Sequence, residues 1–126
     1  MRREARDNLA DEVKWLKFRD RSHPRVLLCL LAKAKIDTTD QRFVPLYVLS
    51  AAGAHTERYV TENGIDFDGL VRASTRLGPE VNALIQLAAA LWDPPRPADI
   101  AETFGRLANT PSMDVAIHAL RLRWEL

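Results

Sequence analysis

The sequence predicts an all-α protein, a compact bundle of about seven to eight helices. Three observations lead there: apolar residues recur at spacings of three and four from end to end, no stretch alternates with period two, and Ser, Thr, Asp, Pro and Gly punctuate the chain at helix-length intervals. With 126 residues and 47% hydrophobic content, the chain can bury one core without a metal or disulfide staple. Residues 1–126 are therefore expected to form a single domain.

The first helix is expected over roughly residues 3–20, with Leu9, Val13 and Leu16 on one face and Trp15 and Phe18 beside it. "SHPRVLLCLLAKAK" opens the second, with Ser22 as N-cap and Pro24 in the first turn. The third spans about residues 40–52 and stops at Gly53. Pro45 removes a backbone donor there, which predicts either a kink or a later start near residue 44. "HTERYVTENG" reads as a short fourth helix stopped by Asn63-Gly64, "IDFDGLVRAS" as a fifth, and "GPEVNALIQLAAALW" as a sixth. "DPPRP" is a stiff linker, and helices over about 98–107 and 111–124 follow, the last capped by Thr110.

Shifting the sequence by 32 residues lays residues 79–92 onto 111–124, with Pro79 on Pro111, Ile85 on Ile117 and Trp92 on Trp124. Two related C-terminal helical hairpins is one reading of that match; convergence of two amphipathic helices is the other. On a wheel at ~100° per residue, Val81, Leu84, Ile85, Ala88 and Trp92 form a core stripe in the earlier helix, with Ala83, Leu87 and Ala90 opposite. Met113, Ala116, Ile117, Leu120 and Trp124 form the stripe of the later one, with Val115, Ala119 and Leu122 as a second strip. Helices this apolar are expected to be enclosed on two sides, at the centre of the domain or under a partner.

Lys and Arg number 18 against 17 Asp and Glu, a net charge of +1, which withdraws the broad electrostatic case for nucleic acid or an anionic membrane. Residues 1–42 carry eleven bases and seven acids, but the signs interleave, as Asp11 does with Lys14, in the manner of a solvated helix face. No apolar run approaches the ~20 residues of a membrane span, and the charged start is no signal peptide, so a cytoplasmic protein is expected. Cys29, the single cysteine, stands in "VLLCLL" as a small buried hydrophobe.

Residues 100–123 have the outline of a DNA-reading helix-turn-helix, because Ala101 and Gly105 have the separation that motif uses. The turn is too long for it, since Thr110 comes five residues after the glycine. The first charge on the second helix is Asp114, which repels phosphates. The three histidines, His23, His55 and His118, stand in separate elements without ligand spacing, so neither a metal nor another cofactor is expected. Asp66 and Asp68 read as helix N-terminal carboxylates, and His55 with Tyr59 and Glu62 is the single mixed polar cluster.

"EVNALIQLAAALWD" followed by "AETFGRLANTPSMDVAIHALRLRW", together with "YVTENGIDFDGL", resembles a set of small all-helical proteins of unknown function from actinobacteria, phages and mobile elements. The resemblance covers about half the chain and implies the helical fold, with no activity to transfer.

Together these features lead to a non-enzymatic protein-interaction or regulatory module, an accessory protein of a phage, mobile element or defence system. Trp15, Phe18 and Arg19 are its expected contacts with a protein partner or a second copy. The alternative is a DNA-associated regulator using Arg2, Arg3, Arg6, Lys17, Arg121 and Arg123, and a third reading is a small enzyme around His55.

Overall fold

Asp20 turns the chain into its first described helix. Its carboxylate accepts hydrogen bonds from the Ser22 amide at 3.0 Å, the Ser22 hydroxyl at 2.7 Å and the His23 amide at 3.0 Å. The Ser22 hydroxyl is the main cause holding the carboxyl below its usual pKa. Helix α1 then spans His23–Ala34. Two expectations are corrected here. Residues 16–22 are not helical, so the expected first helix does not reach residue 20. Ser22 occupies the N-cap position but its side chain makes no cap bond. A carboxylate two residues earlier can serve several donors at once, and it takes that role. The structure, a computed structural model, describes residues 16–92 and 99–124, without the side chain of Ile100. Leu9, Val13, Trp15 and the "DPPRP" stretch lie outside those residues.

Helix α2 spans Phe43–Ala51, and all nine of its residues are buried. The later start is the one realised: Pro45 falls in the first turn, where its missing N–H would have had no helical acceptor. The segment expected as a fourth helix divides instead. A 3-10 helix covers Ala54–Tyr59, and then β1 (Val60–Thr61) pairs antiparallel with β2 (Gly64–Ile65), Val60 opposite Ile65. Asn-Gly is a hairpin signal as well as a helix stop, and Gly64 has φ 137°, which a side chain would resist. Strands of two residues are too short to show alternation, so they leave no period-two signal in the sequence.

Helix α3 (Phe67–Ser74) begins at Asp66, whose side chain accepts from the Gly69 amide at 3.0 Å. Helix α5 (Ile100–Leu107) begins the same way, with Asp99 accepting from the Glu102 amide at 2.9 Å. Each is followed by a helix of 13 residues, α4 (Pro79–Leu91) and α6 (Ser112–Trp124). The two hairpins thus share element lengths and an aspartate cap. Among the described residues the chain is a bundle of six α-helices and one 3-10 helix with a single small hairpin, which agrees with the all-α expectation. No described helix is long and apolar enough to cross a membrane.

Helix α4 is the axis of the bundle and packs against α2, α3, α5 and α6. Val81, Ala83, Leu84, Ile85, Leu87, Ala88 and Ala89 are all buried, as the all-round apolar pattern predicted. Trp92, at its end, is half-buried edge-on against Phe67, with ring centroids 6.1 Å apart.

Among the described residues one buried polar atom is left over. Thr103 on α5 is 1% exposed, and its hydroxyl has no hydrogen-bond partner. Thr103→Val keeps the shape and removes the unsatisfied group, so it should stabilise the fold by about 1 kcal/mol. A urea titration checks this, and a lower midpoint would contradict it.

Candidate functional site

The orientation of α6 decides which surface the protein offers. Its buried residues are Ser112, Val115, Ala116 and Ala119, three of them small. Small side chains let its backbone approach α2, its main neighbour, which is itself filled with large side chains. At the N-terminus of α6, the Ser112 hydroxyl donates to Glu80 on α4. Glu80 also receives Arg19 Nε at 2.9 Å, and Arg19 Nη1 donates to the Ala51 carbonyl at 2.9 Å. One guanidinium thus ties the incoming chain, the end of α2 and, through Glu80, the start of α6.

Behind this clamp lies an aromatic cluster centred on Tyr47. The His23 ring stacks on it with centroids 5.4 Å apart, Phe43 stacks at 6.4 Å, and Phe18 and His118 meet it edge-on at 6.5 and 6.0 Å. The Tyr47 hydroxyl donates to the Lys17 carbonyl, and burial raises its pKa. His23 is 1% exposed. Its Nδ1 accepts from the Arg19 amide at 3.0 Å and its Nε2–H donates to the Tyr47 carbonyl at 2.9 Å, which fixes a neutral tautomer. Desolvation is the main cause that lowers its pKa to about 4.

With the small-residue arc turned inward, Ile117 and Trp124 of α6 face out, and Met113 leans against the edge of the core. Ile117 is 42% exposed and Trp124 58% exposed, while Met113 and Leu120 are half-buried beside them. This corrects the expected core stripe of Met113, Ala116, Ile117, Leu120 and Trp124, of which Ala116 alone is fully buried. A helix with two apolar arcs has two ways to face a core. Close backbone packing on α2 and the reach of Ser112 to Glu80 selected the arc with small residues. Asp114 and Arg121 flank the outward stripe on one side, both exposed, and neither has an ion-pair partner among the described residues. Among the described residues, Val71 and Leu77 are the exposed large apolar residues outside α6, and they form no stripe.

The expected contact residues fall in different places. Trp15, Arg2, Arg3 and Arg6 lie outside the described residues. Phe18 is half-buried against His23 and Tyr47, and Arg19 is engaged by Glu80 and Ala51. Lys17, Arg121 and Arg123 are exposed, the two arginines on the last turn of α6. A cleft of about 260 Å³ beside that turn is lined by Asp40, Gln41, Arg42, Pro45, Leu91 and Arg123, and the Arg42 guanidinium is already paired with Asp40 at 2.7 Å.

The helix-turn-helix outline loses its glycine. Gly105 sits inside α5 on an exposed face, where an added Cβ meets nothing, and the left-handed turn residue is Asn109 with φ 64°. The mixed polar cluster does not converge either. His55 Nε2 is 3.1 Å from the Ser74 hydroxyl, whereas Glu62 pairs with Lys35 across 2.9 Å. Ser74 is fully buried, so its hydroxyl does not face solvent. Among the described residues no group of three His, Cys, Asp or Glu side chains could hold a metal. Cys29 is half-buried rather than enclosed, and burial, with Glu57 beside it, raises its thiol pKa away from reactivity.

No family model matches this chain, and no curated protein or solved structure matches it.

The buried imidazole predicts an acid-labile fold. The folded state holds the His23 pKa near 4, below the ordinary value of about 6.5 in the unfolded chain. Its contribution is therefore complete above pH ~6.5 and is lost as pH falls through ~4, by up to roughly 3 kcal/mol. His55 and His118 are shifted in the same direction, chiefly by burial, and add to the slope. Urea midpoints between pH 7 and pH 4 should fall for the natural chain and fall much less for His23→Gln. Equal slopes would contradict this.

Proposed function

We propose that this chain is a non-enzymatic, all-α interaction module that meets a protein partner through the outer face of α6. The observation that carries the reading is the stripe of Met113, Ile117, Leu120 and Trp124, half-buried at Met113 and Leu120 and exposed at Ile117 and Trp124, on a helix already anchored on its other side. Partly exposed aromatic and aliphatic anchors on a rigid element dominate the energetics of protein interfaces. An accessory role in a phage, mobile element or defence system rests on the resemblance of residues 59–70, 80–93 and 101–124 alone.

The exposed Arg121 and Arg123 favour DNA as a second reading. Against it, the first turns of α6, which would meet base edges, present Asp114 and apolar side chains.

Ile117→Ser and Trp124→Ala touch little of the core and should change stability by less than about 1 kcal/mol. In a nuclease-treated affinity pull-down read by mass spectrometry, both should lose what the natural chain captures. Unchanged capture would remove α6 as the contact. Gel-shift titrations at low and physiological salt should show no tight duplex binding; specific binding lost in Arg121→Ala would favour the second reading.

A further inference from the structure

The outward stripe of α6 has the spacing of a coiled-coil seam. Positions 113, 117, 120 and 124 are separated by four, three and four residues, the alternation that keeps side chains on the line where two helices meet. Ile117 and Trp124 are exposed, Met113 and Leu120 half-buried, so a second helix could seat on this line while Val115, Ala116 and Ala119 stay in the core.

The flanking charges choose the occupant. Asp114 lies on the first turn and Arg121 seven residues later on the same flank, both exposed. Two copies of α6 related by a two-fold axis between Ile117 and Leu120 run antiparallel. Met113 of each then meets Trp124 of the other, and Ile117 meets Leu120. The reversal also carries the acidic first turn of each helix to the basic last turn of the other, so Asp114 faces Arg121 twice, and the helix dipoles oppose favourably. A parallel pair puts the flank bearing Asp114 and Arg121 of each copy on opposite sides of the seam and forms neither contact.

We propose that the outer face of α6 is a self-complementary surface through which two copies of this chain associate antiparallel, on the seam Met113, Ile117, Leu120 and Trp124 with reciprocal Asp114–Arg121 pairs. The proposal rests on α6 being the contact surface and adds the identity of the partner. A helix of 13 residues is about 20 Å long, so the buried area is smaller than the ~1,200 Å² of a tight complex. The dimer is accordingly weak, with Kd in the range of roughly 1–100 µM.

Sedimentation velocity of the full chain over that concentration range tests it. A concentration-dependent shift from monomer to dimer is expected, with Ile117→Asp monomeric throughout and unchanged in circular dichroism. Asp114→Arg and Arg121→Asp, both at exposed sites, should each weaken the dimer by about tenfold, because like charges then face each other twice. Mixed one to one, these two variants should recover the natural affinity, since the introduced arginine of one copy faces the introduced aspartate of the other and the remaining pair is native. Should Ile117→Asp unfold, the charge variants and their mixture decide the matter. A natural chain that stays monomeric, its stripe taken by residues 1–15 or by another protein, overturns the proposal. So does a dimer that survives in folded Ile117→Asp, or a mixture no tighter than its components. A monomeric chain whose pull-down capture is still lost in Ile117→Ser would sink the dimer while leaving the interaction-module reading standing.

Discussion

The bundle is organised around the neutral, fully enclosed imidazole of His23. It bridges the Arg19 amide to the Tyr47 carbonyl, and its ring stacks on Tyr47. By doing so it holds the incoming chain against α1 and α2. Both ring nitrogens are used in an apolar setting, where a lost partner would leave a buried polar group unsatisfied. Once the Arg19 backbone is fixed there, its guanidinium reaches Ala51 and Glu80, and Glu80 in turn receives Ser112. A buried polar linkage at residue 23 therefore helps to set the rotation of a helix that begins 89 positions later in the chain.

That rotation separates two helices of similar sequence. α4 and α6 have the same length and share a proline at the start and a tryptophan at or just past the end. α4 is enclosed by four neighbours and spends both apolar arcs on the core. α6 is at the periphery and buries the arc made of Ser112, Val115, Ala116 and Ala119. The remaining arc holds the larger side chains, and it is left to whatever the protein meets. A surface of this kind is rigid because its other side is packed, and a rigid anchor loses little entropy on association.

The catalytic possibilities narrow for a related reason. His23 is locked in hydrogen bonds, His118 lies edge-on to Tyr47, and His55 faces a serine that solvent does not reach. His23 and His118 pack on the same Tyr47 ring, and His55 stands apart from them against Ser74. The single thiol is held protonated by its surroundings. Among the described residues the chemistry-bearing side chains are thus spread through the packing and do not converge on one cleft.

The helical class, most helix boundaries to within a few residues, the aspartate cap of α3 and the all-round burial of α4 were legible in the amino-acid sequence. Those features are local: they follow from spacing, from which residues accept orphan amides, and from the absence of any charged face on Val81–Leu91. The hairpin at Val60–Ile65 was hidden because Asn63-Gly64 serves helix stop and tight turn alike, and its strands are two residues long. Asp20 displaced Ser22 as the cap because its carboxylate collects three donors in one turn. The face that α6 turns outward was hidden for a deeper reason. Of the two apolar arcs, the one with the larger side chains has the greater transfer free energy, so hydrophobicity alone would bury the face that stays outside. Long-range packing makes that choice, because it depends on how closely α2 lets a backbone approach and on where Glu80 meets Ser112.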